Sequence, residues 1–294
     1  MADISVVGHI AIDKIITSKG EQTQLGGPPI YVSVLSISLG RMVRTITKFG
    51  RDMPDRFLTR LGELGIDLKR NLAENDPTTR FILDYRQPDR SLSVESICKK
   101  IKLEDLEHLS DCVLLTPIVS EIGTDELLEL APEILALDPQ GLVRDIQRDG
   151  SVRYKEWFDE ELLRRLNVYK SSDRELALVT GRDTVSGLRR LGRMGVDVAI
   201  ATTGGRGSQI LVEDKLYQIP AHRIKNSLDT TGAGDVFLGA FFLEYVKGED
   251  TLWCASVGSA SASFMVETMG PEMKASRNEI YERAEHIFGG IKRL

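Results

Sequence analysis

The residue types best suited to chemistry gather in one stretch. Asp229-Thr230-Thr231-Gly232-Ala233-Gly234-Asp235 runs straight into Val236-Phe237-Leu238-Gly239-Ala240-Phe241-Phe242-Leu243. Gly232 and Gly234 let the backbone turn sharply and bring its N–H groups close to a ligand. Val236, Phe237, Ala240, Phe241 and Leu243 recur at helical spacing, so a buried helix is expected over 232–247. The first N–H groups of such a helix lack intrahelical partners and sit at the positive end of its dipole, which makes them an anion site suited to phosphate. Asp235 stands inside that site, where a carboxylate fits poorly beside a phosphate unless it is there to take a proton. The pairing suits phosphoryl transfer to an alcohol. The amides of Gly232, Ala233, Gly234 and Asp235 stabilise the moving group, and Asp235 is the general base. Two other phosphate-binding motifs are excluded: Phe237 stands where a dinucleotide fingerprint needs a small residue, and no Gly-x-x-x-x-Gly-Lys-Ser/Thr occurs.

Asp-Thr-Thr-Gly-Ala-Gly-Asp followed by an apolar helix resembles the C-terminal signature of the ribokinase-like (PfkB) carbohydrate kinase family. The resemblance implies an α/β fold: a central, mostly parallel sheet flanked by helices, with a small β lid. It also implies roles for other residues. Asp13 takes the place of an Asp that accepts hydrogen bonds from substrate hydroxyls, and Gly26-Gly27 that of a pair whose backbone contacts the sugar. Pro28-Pro29 follows that pair here, in place of the family's Lys or Asn with small residues. Asp138-Pro139-Gln140-Gly141 corresponds to Asp-Pro-Asn, so Gln140 and Arg144 become candidates for hydroxyl recognition. Ser172 and Glu175 fall on an Asn-x-x-Glu motif that orders Mg²⁺, often through water, although Ser172 is also a good cap for the next helix. Thr202-Thr203-Gly204-Gly205-Arg206-Gly207 resembles the nucleotide loop, giving Thr202, Gly204 and Gly207, with Thr231, Gly232 and Gly234, as nucleotide contacts. These motifs keep family order over nearly the whole chain.

Elements that would hold these residues can be read from periodicity. Strands are expected at 4–8 and 10–16, a helix from the Gly26-Gly27 turn to Leu39, a strand at 43–49, and a helix at 54–64 capped by Asp52. Alternating segments 78–85 and 91–98 flank Arg86-Gln87-Pro88-Asp89-Arg90, a hairpin signal. With 10–16 they would form the lid, the alternative being an ordinary surface hairpin. Helices near 103–109, 124–130, 155–166, 173–179 and 183–194 then alternate with strands 112–117, 134–137, 168–169 and 196–202. That alternation predicts right-handed crossovers, a parallel sheet, and ligands beyond the carboxyl ends of its strands. A hairpin at 208–219 and helices at 232–247, 250–268 and 276–288 complete one expected domain over 1–294.

Composition bounds the function. A net charge of −6 argues against a general nucleic-acid binder, and no apolar run approaches the ~20 residues of a membrane span. Three scattered cysteines suggest a reducing compartment and no zinc site, and the first residues carry no leader-like run, so a cytoplasmic protein is expected. The expected activity is transfer of the γ-phosphoryl of ATP, with Mg²⁺, to a hydroxyl of a sugar or cyclic polyol, an inositol included. A nucleoside kinase is the alternative, held back because only Tyr31, Phe81 and Tyr85 offer rings for a base. A non-catalytic sugar- or nucleotide-binding protein on the same scaffold is the alternative from another class. Monomer and homodimer both remain open, since an exposed lid strand can pair between subunits.

Overall fold

The computed structural model describes residues 3–18, 20–86, 91–224 and 228–294. Its first part contains β1 (Ile4–Val7), β2 (Ala11–Thr17), β3 (Gly20–Gly26), α1 (Pro28–Leu39), β4 (Val43–Ile46), β5 (Phe49–Gly50), α2 (Asp55–Glu63), α3 (Leu68–Asn71), β6 (Leu72–Ala73), β7 (Thr79–Asp84) and β8 (Ser91–Ser96). Then come β9 (Cys112–Leu115), α4 (Thr124–Leu128), β10 (Ile134–Leu137), β11 (Arg144–Ile146), β12 (Val152–Tyr154), α5 (Glu160–Arg164), β13 (Val168–Ser172), α6 (Asp173–Thr180), α7 (Thr184–Met194) and β14 (Val198–Thr202). The last part holds β15 (Ser208–Val212), β16 (Lys215–Ile219), α8 (Ala233–Tyr245), α9 (Thr251–Val266), α10 (Arg277–Phe288) and β17 (Lys292–Arg293).

The main sheet runs β17-β16-β15-β14-β13-β10-β9-β1-β4. From β14 to β4 it is parallel, and β15, β16 and β17 add an antiparallel edge. Strands such as β9 and β10 read as unbroken apolar runs because helices cover both faces. On one face α1, α8, α9 and α10 bring Tyr31, Leu35, Phe241 and Phe242 into one core. On the other, Leu127, Leu162, Leu176 and Leu188 form the second. No helix among the described residues is long and apolar enough to cross a membrane.

A second sheet, β3-β2-β7-β8, stands apart from the first. It matches the segments expected at 10–16 and 78–98, with the turn at 87–90 lying outside the described residues. Its fourth strand, β3, was not anticipated. Glu21, Gln22 and Thr23 are polar and exposed, so nothing in the local pattern marks a strand, and its order comes from pairing with β2 along its whole length. The helix expected from Gly26 therefore begins at Pro28, with Gly27 as its cap.

Other expectations are corrected too. Asp52 does not cap α2, whose cap is Pro54. It accepts instead from Thr78 N–H (2.7 Å) and from the Thr78 hydroxyl (2.7 Å), and it pairs with Arg80. The helix expected at 103–109 is a short 3-10 turn, Leu103–Leu106. The helix expected at 155–166 shrinks to α5, capped by Asp159, and a hairpin, β11–β12, comes before it. That hairpin docks on the second sheet, where Val94 N–H donates to the Gly150 carbonyl at 2.7 Å.

Helix α8 is apolar on nearly every side, and it is buried between α1 and α9. Its seat against α9 depends on Gly258, where a Cβ would lie 2.8 Å from the Phe237 carbonyl oxygen. Two Gly→Ala changes should therefore act in opposite directions. At exposed Gly62 in α2 nothing lies within 4 Å of a Cβ, and Ala there should stabilise by about 0.5–1 kcal/mol. Gly258→Ala gains the same propensity but loses about 1–3 kcal/mol to overpacking, so its urea midpoint should fall.

Candidate active site

The carboxyl ends of β10, β13 and β14 point at the N-terminus of α8, and between them lies a cavity of about 310 Å³. Asp138 follows β10, Ser172 ends β13 and Thr202 ends β14. Asp13, Gly27, Gln140, Arg144, Ser172, Glu175, Thr202, Thr231, Gly232, Gly234 and Asp235 all line it, so most of the scattered motifs do converge. A second cavity of about 470 Å³ adjoins it through Thr202, Thr230 and Gly234. It takes in Gly204, Gly207 and Ala233, with apolar walls from Ile224, Phe237, Ala262 and Val266. Of the expected residues, Gly26 lines neither cavity. Its role is packing: a Cβ there would overlap the Asp13 carboxylate.

Asp235 sits in the first turn of α8, whose cap Gly232 is left-handed at φ 76°. Burial pushes its carboxyl up to about 7. Lys170 pulls the other way, Asp138 adds to the rise, and a hydrogen bond from Gln140 opposes it. Gln140 Nε2 donates to Asp235 Oδ1 at 3.0 Å, and Arg144 Nη2 donates to Gln140 Oε1 at 2.8 Å. The guanidinium thus fixes which end of the amide faces Asp235. Gln140 and Arg144 line the cavity as expected, but their hydrogen bonds run to the carboxylate and to the Ile118 carbonyl.

Ser172 caps α6. Glu175 N–H donates to its hydroxyl, and Glu175 Oε2 accepts from Ser172 N–H (2.9 Å) and from the Ser172 hydroxyl (2.7 Å). Among the described residues no group of three or more His, Cys, Asp or Glu is arranged to hold a metal. Mg²⁺ keeps several waters and takes one or two carboxylates beside substrate phosphates. The residues fit that mode only, through Glu175 Oε1, the oxygen outside the capping box.

Lys170 and Tyr154 escaped the sequence reading, and Tyr31 and Tyr85 entered it only as rings for a base. Lys170 pairs with Asp138 at 2.7 Å, both buried. The signal for it was a lysine directly after the apolar pair Val168-Tyr169. Tyr31 packs its ring on Gly232, and Tyr154 comes from the unanticipated hairpin. Tyr85, at the end of β7, places its hydroxyl 3.0 Å from Thr231 Oγ1 and so ties the second sheet to the loop before α8. His9 is structural, held between Thr79 Oγ1 (2.9 Å) and the Lys99 carbonyl (3.0 Å).

Residues 1–276 match the family model described as pfkB family carbohydrate kinase. The chain belongs to that family. Among curated pfkB-type relatives, a cytidine kinase of Thermococcus kodakarensis is 25% identical, covering 92% of this chain and 98% of its own. A deoxyribokinase of Salmonella typhi is 24% identical, covering 92% and 94%. A pyrophosphate-dependent kinase in the ribokinase family, complexed with a pyrophosphate analog and myo-inositol, shares the fold with a TM-score of 0.78. It is 22% identical, covering 95% of this chain and 99% of its own.

In this pfkB member the raised pKa of Asp235 has a consequence for stability. A carboxylate whose folded pKa lies above its unfolded value stabilises the fold fully below about 4, and that contribution is lost as pH rises through about 7. Asp235→Asn removes the titration. The variant should therefore be about 2–4 kcal/mol more stable than wild type at pH 8 and should match it at pH 4, measured by urea unfolding.

Proposed function

We propose that the protein moves the γ-phosphoryl group of ATP to a hydroxyl of a nucleoside, with Asp235 as general base. The observation that carries this reading is a carboxylate of pKa about 7 at the N-terminus of a buried helix, on a cavity that opens into a second, apolar one. Phosphate oxygens would lie on the amides of Gly232, Ala233 and Gly234. The acceptor hydroxyl would lie between Asp13 and Asp235. Gln140 holds Oδ1 of Asp235, which leaves Oδ2 to take the hydroxyl proton. Mg²⁺ accompanying the donor would neutralise phosphate charge, with Glu175 as its contact through water. The second cavity favours a nucleotide donor over pyrophosphate, because Ile224, Phe237, Ala262 and Val266 offer a base an apolar slot that pyrophosphate would not use. Asp235, with the amides beside it, weighs against a binding protein without catalysis.

The acceptor class follows from the lining of the cavity. Gln140 is engaged with Asp235 and Arg144 with Gln140, and apolar lining comes from Phe81, Leu83, Leu92, Ile118 and Tyr154. A ring bearing a hydroxyl on every carbon would bury some of them against that wall, at about 1–3 kcal/mol each. A ribose carrying a base has a polar edge for Asp13 and Asp235 and a flat face for the wall. The cytidine kinase relative supports the same class. A sugar or cyclic polyol, an inositol among them, is the second reading. It is favoured by Asp13, whose carboxylate can bridge neighbouring hydroxyls, and by the myo-inositol complex of the structural neighbour.

ADP release with Mg-ATP across cytidine, other nucleosides, ribose, deoxyribose and myo-inositol separates these readings. Turnover should be highest with a nucleoside, and a preference for myo-inositol would reverse the assignment. Asp235→Asn should lower kcat by ~10²-fold or more with donor binding kept. In wild type, kcat/KM should fall about tenfold per pH unit below about 7, because the protonated carboxyl cannot act as base, and level off above it. The variant should lack that limb.

A further inference from the structure

Lys170 occupies the middle of β13 and is 4% exposed, a charge buried in a central strand of the sheet. Its Nζ donates to Asp138 Oδ2 at 2.7 Å, its sole hydrogen bond among the described residues. An ammonium has three N–H donors, so two remain for something else. The position says what. A Cβ on Gly234 would stand 2.8 Å from Nζ, so the ammonium lies directly beneath the first turn of α8 and lines the same cavity as Asp235 and Glu175. Burial disfavours its charge, but Asp138 and then Asp235 outweigh burial and hold the lysine above its ordinary pKa. The ammonium and the positive helix end therefore face one space from two sides. A charge pair kept only for stability has little to recommend it, since apolar residues at both positions would commonly do as well.

Beside it, Ser172 and Glu175 are bonded to each other. The loop is thereby left short of groups free to compensate phosphate charge. We propose that Lys170 is a catalytic residue whose free N–H donors bind the transferring phosphoryl group, with Asp138 as the carboxylate that positions it. The proposal rests on the phosphotransferase reading. In the step, the acceptor oxygen forms its bond to the γ-phosphorus, and the bond from that phosphorus to the β,γ-bridging oxygen breaks. The bonding pair leaves on ADP, and the acceptor proton passes to Asp235. Lys170 remains protonated and donates hydrogen bonds to the equatorial oxygens throughout.

Two variants test it. Lys170→Met alone would leave Asp138 buried without a partner, so the charge is removed with Lys170→Met/Asp138→Asn together. Lys170→Gln, whose amide can still donate to Asp138, is the second. Each is assayed for turnover and, by calorimetry, for the ratio of its affinity for a non-hydrolysable ATP analogue to that for ADP. Both variants should lose about 10²-fold or more in kcat, the scale of one oxyanion donor. The affinity ratio should fall about tenfold, with ADP binding unchanged. A merely structural lysine predicts near-normal kcat and ratio in whichever variant folds, and that result overturns the proposal. The affinity ratio needs no acceptor and remains readable if the acceptor class is wrong. Wild type that binds neither nucleotide would instead sink the phosphotransferase reading itself.

Discussion

Crowded negative charge at the positive end of one helix is the constraint that the rest of the molecule answers. Asp138, Glu175 and Asp235 share a cavity with the N-terminal amides of α8, and the proposed donor adds further charge. Burial there keeps a carboxylate from ionising at its ordinary pKa, and Asp235 is raised to about 7, with Lys170 opposing the rise and Asp138 adding to it. This value suits a base for an alcohol, since about half of it is ionised at neutral pH and it holds a proton far better than a solvated aspartate. The fold carries the cost, which explains why so much apolar surface surrounds the site. A helix buried on nearly every side can keep its first turn fixed against the desolvation of the charge placed there.

Position comes from two directions. The parallel strands deliver Asp138, Lys170, Ser172 and Thr202 from below, all at or near carboxyl ends, as their crossovers require. The second sheet and the hairpin β11–β12 deliver Asp13, Phe81, Leu83, Leu92, Arg144 and Tyr154 from the side. These groups are linked by hydrogen bonds as well as by proximity. Val94 in β8 bonds the hairpin, the hairpin begins at Arg144, Arg144 orients Gln140, and Gln140 holds Asp235. A second link runs from Tyr85 to Thr231, just before the amides. In the proposed mechanism, movement of the second sheet over an acceptor would therefore alter both the base and the anion site.

Much of this was legible in the sequence, and what was not has physical reasons. The α8 stretch was readable because its chemistry is local: glycines, the aspartate and the helix are contiguous. The parallel strands were readable because burial on both faces leaves apolar runs. β3 was hidden because an edge strand exposed on one side has no composition of its own, and its partner β2 decides its structure. The hairpin β11–β12 was hidden for the same reason, being three polar-flanked residues on each side. Gln140 and Arg144, read from the sequence as candidates for hydroxyl recognition, do line the cavity, but their hydrogen bonds depend on side-chain directions that no spacing encodes. Lys170 was missed because the expected strand stopped at 169, and its meaning needed the true length of β13 and the nearness of Gly234.

The same geometry explains how a departure from the family pattern can be tolerated. Serine at 172 is too short to do what a longer amide does, and here it turns back to cap α6 and takes one oxygen of Glu175 with it. A loop altered in this way would leave phosphate charge under-compensated unless a cation stood nearby. Lys170, two residues earlier, points to the cavity side of the same strand as Ser172, because side chains alternate along β13 and i, i+2 share a face. Asp138 on the neighbouring strand then becomes the ion's partner and holds it in place. The substitution and the lysine are in this sense one feature. In the proposed mechanism the cation that neither Ser172 nor Glu175 can provide comes from Lys170, on their side of the strand.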